Sequence, residues 1–177
     1  MTRFERRPAD VLTVRLVRDQ ASEPVPALAV PVAPTGGDDD PGVEPLVAVG
    51  ELEAELRGYL ADSEHSGAAG VVRVLPRPLG TPRRVYAVGV AEGGEPAWRS
   101  AGAGLVRAAG RDTQVTWVLP ESVAPAEVRA LAEGALLAGY RYRLGEPKPD
   151  APVLAELVLV VPTRLDGYEQ ALAQASV

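Results

Sequence analysis

The 177-residue chain contains no cysteine. Disulfide scaffolds, thiolate zinc sites and cysteine nucleophiles are therefore excluded. It has a single histidine, His65, which leaves a Ser-His-Asp triad or a multi-histidine metal site almost nothing to work with. Isoleucine and asparagine are absent, and Lys148 is the one lysine beside seventeen arginines. A coding sequence rich in G and C accounts for that skew, so arginine here says little about phosphate or carboxylate recognition. No run of about 18 apolar residues occurs, and no membrane-spanning helix is expected. Residues 1–10 are polar and basic and are expected to be flexible. They carry Arg6-Arg7, but no apolar stretch follows, which argues against a secretory or twin-arginine signal. The default compartment is the cytoplasm. Positive charge is in deficit: the net charge is −6 and the pI about 4.9. That balance argues against a nucleic-acid partner held by bulk charge.

What is present is ordinary for a globular protein, with 46% hydrophobic and 24% charged residues. The length fits one domain that buries about 70% of its unfolded surface. Residues 11–17 (VLTVRLV) read as a strand, being short, β-branched and partly alternating. Residues 27–32 read as a second strand, and the prolines at its ends, Pro26 and Pro31, predict an edge position. Residues 34–42 (PTGGDDDPG) read as a loop. From about Pro45 the period becomes helical through Leu46, Val49, Leu52, Leu56, Tyr59 and Leu60, fading near residues 65–70. Strands are predicted at 71–75, 84–90 and 114–119, with a turn or crossover between the first two.

Gly93-Gly94 opens a second helix, whose inner face carries Trp98, Ala101, Leu105, Val106 and Ala109. Pro125 suits the first turn of a third helix, since its missing N–H would be unpaired there anyway. Val128, Leu131, Ala132, Ala135, Leu136, Gly139 and Tyr140 follow at helical spacing. Residues 145–152 read as a loop. Residues 153–161 are nearly all apolar, as in a strand buried on both faces. Thr163 is a candidate cap for a last helix with Leu165, Tyr168 and Leu172 inside. About six strands and four helices, interleaved, predict an α/β domain of three layers, α/β/α, over residues 11–162, followed by a helix at 163–177. The two opening strands have no helix between them. A direct hairpin is expected, which makes the sheet mixed.

No stretch carries a recognisable catalytic motif. Gly102 and Gly104 fall inside a helix, and Arg107 stands where a dinucleotide loop needs its third glycine, so close packing is the reading. Residues 89–94 (GVAEGG), between strand and helix, are better placed to hold an anion on backbone N–H groups, but no GK[ST] follows, and a plain turn is favoured. Asp38, Asp39 and Asp40 lack the alternating spacing of a calcium loop and read as a solvated acidic loop. Glu51, Glu53 and Glu55 read as a wet helix face, with Glu53 turned from the other two. His65, near a helix end, reads as a group facing water or complementing the helix C-terminus. Arg83-Arg84 and Arg141 with Arg143 read as ion-pair partners or helix-end charges, and Tyr140, beside Arg141 and Tyr142, as core packing.

A resemblance enters at the third helix. Residues 132–143 (AEGALLAGYRYR) resemble the E-G-[A]-L-L-[A]-x-Y-x-[FY] segment of leucyl aminopeptidases, also called cytosol aminopeptidases. The proline-bearing stretch after it and the apolar strand ending in Val161-Pro162 are similar to that family's order. Residues 66–70 (SGAAG) before VVRVLP resemble its F-x-G-K-x-G-E turn, departing at Ala69 and in lacking the acidic residue. Residues 83–89 (RRVYAVG) resemble its R-V-L-L-V-G-L-G strand, with Ala91 in place of the second glycine.

The resemblance implies a macro-domain-like N-terminal domain. It places the chemistry elsewhere: two metal ions, zinc or manganese, held by Lys, Asp and Glu in a C-terminal catalytic domain with an N-T-D-A-E-G-R signature. A chain without asparagine lacks that signature, so no catalytic, cofactor or metal residue carries over, and residues 163–177 would lead toward the absent domain. The function implied is a non-catalytic assembly or regulatory domain of a metallo-aminopeptidase that removes N-terminal amino acids from peptides. Its partners would be the catalytic domain and other protomers, hexamers being the family's form, with no membrane. Some bacterial members also bind DNA, for which this acidic chain is poorly suited. The alternative is a stand-alone binder of a nucleotide or ADP-ribose at residues 89–94, by fold analogy alone. An independent enzyme using two facing carboxylates ranks last, because no such pair is visible.

Overall fold

The computed structural model describes residues 12–18, 25–36, 42–140, 154–161 and 167–175. The elements run β1 (Thr13–Val17), β2 (Ala27–Thr35), β3 (Gly42–Pro45), α1 (Glu53–Asp62), β4 (Val72–Pro76), β5 (Arg84–Gly89), α2 (Glu95–Ala108), β6 (Gln114–Val118), α3 (Pro125–Gly139), β7 (Glu156–Val160) and α4 (Tyr168–Ala175). The strands form one sheet in the order β1-β7-β6-β2-β5-β4, with β3 attached to β2.

Side chains alternate across each strand, so the sheet has two apolar faces. One face, with Ala29, Tyr86, Val115, Trp117, Leu157 and Leu159, packs under α2, α3 and α4 through Trp98, Leu105, Leu131 and Tyr168. The other, with Leu28, Val30, Val32, Val85 and Ala87, packs on Leu56 and Leu60 of α1. Helices on both sides of one sheet give the three-layer α/β/α arrangement that the interleaved pattern predicts. As predicted, Pro125 begins α3, and Leu157, Val158, Leu159 and Val160 of β7 are buried on both faces.

Three expectations are corrected. The opening strands do not form a hairpin. β1 pairs in parallel with β7, from Thr13↔Glu156 to Val17↔Val160, and β7 and β6 lie between β1 and β2. A strand apolar on both faces, such as β7, is most stable with a partner on each side, and β1 supplies the second. The sheet is mixed for a different reason: β3 and β4 run antiparallel to β2 and β5.

Nor is β2 an edge strand. It pairs in parallel with β5 along Ala27–Val32 and with β6 at Leu28 and Ala29. Proline is tolerated there because Pro31 sits at a seam. On that side β6 ends its pairing at Ala29, and β3 begins at Val32↔Pro45. The missing N–H faces this gap, while the Pro31 carbonyl still accepts from Leu46 N–H at 2.9 Å.

The helix expected from Pro45 also starts later. Gly42–Pro45 is strand β3, a 3-10 turn follows at Gly50–Leu52, and α1 begins at Glu53. Leu46 is partly exposed and outside the helix. Asp38–Asp40, Arg141, Tyr142, Arg143, Lys148, Thr163 and Leu165, and residues 1–10, lie outside the described residues.

Candidate functional site

The end of the sheet where β5 runs into α2 is where an open α/β sheet of this kind places ligands. The turn holds Ala91, Gly93 and Gly94 at φ of 49, 87 and 83°, values that favour glycine at the last two positions. Three of its donors are already used. Ala91 N–H goes to Gly67 O and Gly93 N–H to Val90 O, both at 2.9 Å. Gly94 N–H donates to the Glu127 carboxylate at 2.6 Å, whose other oxygen accepts Ala124 N–H at 2.7 Å. A carboxylate of the chain itself thus stands at the start of α2, where an anionic ligand would have to bind. The plain-turn reading of residues 89–94 fits this geometry, and nothing here favours a phosphate cradle.

Gly102 and Gly104 serve packing. A Cβ on Gly102 would lie 2.2 Å from Leu131 O, and one on Gly104 would lie 2.4 Å from Gly70 O. Gly134 of α3 answers with 2.0 Å to Arg99 O. The two helices meet backbone to backbone, which only glycine permits. Beside this contact is an open groove of about 560 Å3 lined by Gly70, Arg99, Ala103, Arg107, Gly134 and Leu137. Arg99 is paired with Glu133. Leu137 and Tyr140 are exposed, so Tyr140 is not the core residue that the helix period predicts.

His65 departs from its reading as well. It is buried, not water-facing. Its Nδ1 accepts Gly67 N–H at 2.9 Å, which puts the ring proton on Nε2, 3.2 Å from Ala87 O. Burial, chiefly, holds its pKa below the ordinary histidine value.

Several other carboxylates are engaged in structural contacts. Glu53 bonds Arg57 and Val49 N–H, and Glu55 bonds Arg77, as a wet helix face does. Glu156 of β7 ties Arg15 of β1 to Gln114 of β6. Arg84 takes the ion-pair role expected of it, with Asp112 as partner.

Sequence reasoning missed that cluster. The nearly buried Asp112 also accepts the Tyr86 hydroxyl, and burial, then this hydrogen bond and charge, push the phenol far above its ordinary range. The one signal available was a tyrosine at a core position of a strand next to two arginines. It gave no pointer to an aspartate 26 residues away.

Among the described residues no group of three or more His, Cys, Asp or Glu is placed to hold a metal ion. The donor set does not fit the dimetal centre that the family resemblance brings to mind. The single imidazole has both nitrogens committed, and Asp112, Glu127 and Glu156 are held by partners in this chain.

A family model described as "Cytosol aminopeptidase family, N-terminal domain" matches residues 37–144. Among solved structures, the bottromycin maturation enzyme BotP matches at 25% identity with a TM-score of 0.53, over 85% of this chain and 29% of that one. A further structure of BotP, in complex with Mn, matches at 25% identity with a TM-score of 0.51, over 85% and 28%. A tomato leucine aminopeptidase mutant, K354E, matches at 14% identity with a TM-score of 0.66, over 97% and 37%. The chain thus spans about a third of the length of these proteins. Comparison with curated proteins finds no match.

Proposed function

We propose, since this chain belongs to the cytosol aminopeptidase family as an N-terminal domain, that it acts as a non-catalytic assembly or regulatory domain. In this reading it serves a larger metallo-aminopeptidase that trims N-terminal amino acids from peptides in the cytoplasm. The observation that carries the reading is the family match to residues 37–144. It is supported by the occupied donors of the β5–α2 turn and by ionisable clusters that satisfy one another. Metal, zinc or manganese, belongs in this reading to a separate catalytic domain, as does the peptide substrate. The protomers of the parent, in hexamers, are the partners.

The test uses the purified chain with Mn2+ or Zn2+ and a chromogenic leucine anilide. No release above the metal blank is expected, and metal-dependent release overturns the reading. Calorimetry with ADP-ribose is expected to give no heat at high micromolar concentration, and clear saturation would put the nucleotide-binding alternative first. In the parent polypeptide, deletion of residues 1–162 should lower the number of protomers per assembly while the metal content of the remainder persists. An unchanged number of protomers removes the assembly role.

A further inference from the structure

The connection from α1 to β4 is held to β5 by one side chain. His65 reaches β5 through Ala87 O and holds the next turn through Gly67 N–H. From there the fastening spreads. Gly67 O accepts Ala91 N–H of the β5–α2 turn, and Gly70 N–H donates to Gly89 O, both at 2.9 Å. The fit is close: a Cβ on Gly89 would lie 2.1 Å from Ala68 O, and one on Gly67 would lie 2.6 Å from Pro34 N. Gly70 and Ala69 continue as one wall of the groove between α2 and α3.

This arrangement admits one protonation state. With the proton on Nε2, both ring nitrogens are satisfied. A second proton, on Nδ1, would face the Gly67 N–H, donor against donor, and that hydrogen bond must break. Backbone contacts at Ala87 and Val71 favour the added charge, but burial outweighs them and Arg73 opposes it. β5 contributes a carbonyl, the end of α1 contributes Leu60 O to the His65 N–H, and β4 contributes the positive charge of Arg73. Asp62 and Glu64, the acids nearest in the chain, are exposed.

We infer that His65 is an acid-sensitive latch, whose protonation releases residues 66–70 from β5 and from the β5–α2 turn and so loosens one wall of the α2–α3 groove. The latch is closed at neutral pH and opens on acidification. It makes the domain responsive to pH whatever assembly it joins.

Because His65 is the one histidine in the chain, its imidazole signal in a proton NMR titration needs no assignment. Its midpoint is expected below the ordinary value of about 6.5. Protection factors of the Gly67, Gly70 and Ala91 amides should fall with the same midpoint while that of Trp117 holds. A midpoint at or above the ordinary value, or loop amides indifferent to it, overturns the latch. The variant His65→Gln should remove the pH response of the loop amides between about pH 5 and 7, the range in which histidine is the one side chain to have its ordinary pKa. A response that survives in H65Q also overturns it. If H65Q does not fold, the wild-type titration decides alone.

Discussion

Two glycines in helices, Gly58 and Gly102, have opposite reasons to be there. Nothing lies within 4 Å of a Cβ built on Gly58 in α1, and its φ is not in the left-handed range. Alanine there should add about 0.5–1 kcal/mol by helix propensity. At Gly102 the same propensity gain is opposed by a Cβ 2.2 Å from the backbone oxygen of Leu131, which cannot swing aside. G102A should therefore lose roughly 1–3 kcal/mol, the usual cost of overpacking. Urea midpoints of G58A and G102A moving in opposite directions would bear this out.

Asp112 makes a second residue-scale case. Its carboxylate receives both Arg84 and the Tyr86 hydroxyl. Tyr86 therefore keeps its proton well beyond the ordinary phenol range, for burial first and Asp112 second. The folded pKa is raised, so this stabilisation is complete below about pH 10, the unfolded value, and is lost as pH rises above it. Asp112→Asn should lower the alkaline unfolding midpoint and cost roughly 1–3 kcal/mol at neutral pH. A tyrosine absorbance titration should show the Tyr86 phenol of the wild type ionising only with unfolding and earlier in D112N, while the buried Tyr168 phenol, also held above its ordinary value, behaves alike in both.

At the scale of elements, α2 and α3 begin without capping side chains at Gly94 and Ala124. One carboxylate, Glu127, accepts a backbone N–H from each start. Glu127→Ala should leave two donors unpaired and cost about 1–2 kcal/mol, the range of a lost cap. Hydrogen exchange should accelerate at Gly94 and Ala124 together. Acceleration at Ala124 alone would mean that the bridge to α2 contributes nothing.

This bridge also marks how far the elements could be read from the sequence. The α2 and α3 periods and the apolar run of β7 announce themselves, since their signals are local. A cap three residues before Glu127 would have announced the bridge as well, but Ala124 has no side-chain oxygen to complete the pattern. Strand β3 is four residues with little apolar period and exists by pairing with β2. Pro31 advertises an edge and sits instead at a seam whose partners, β6 and β3, come from later in the chain. His65 depends on Ala87, 22 residues on, so its burial had no local sign.

For the whole molecule, the question is whether two cores make one cooperative unit. The clusters on the two faces share no side chain, but they share backbone: β2 and β5 contribute to both. Loss of either face removes the support under those two strands, so the faces should melt together. The reporters are already placed. Trp98 and Trp117 lie with ring centroids 6.2 Å apart and belong to the α2–α3 face. Leu56 is fully buried on the opposite face, under α1. Leu56→Ala should cost about 2–5 kcal/mol, the range for emptying a buried leucine site. In a single unit, the tryptophan fluorescence midpoint in urea must fall by as much as the far-ultraviolet ellipticity midpoint, although neither indole touches the cavity. If the fluorescence midpoint stays where it was while the ellipticity midpoint drops, α1 and its face unfold on their own. The sheet would then be the boundary between two units rather than the centre of one.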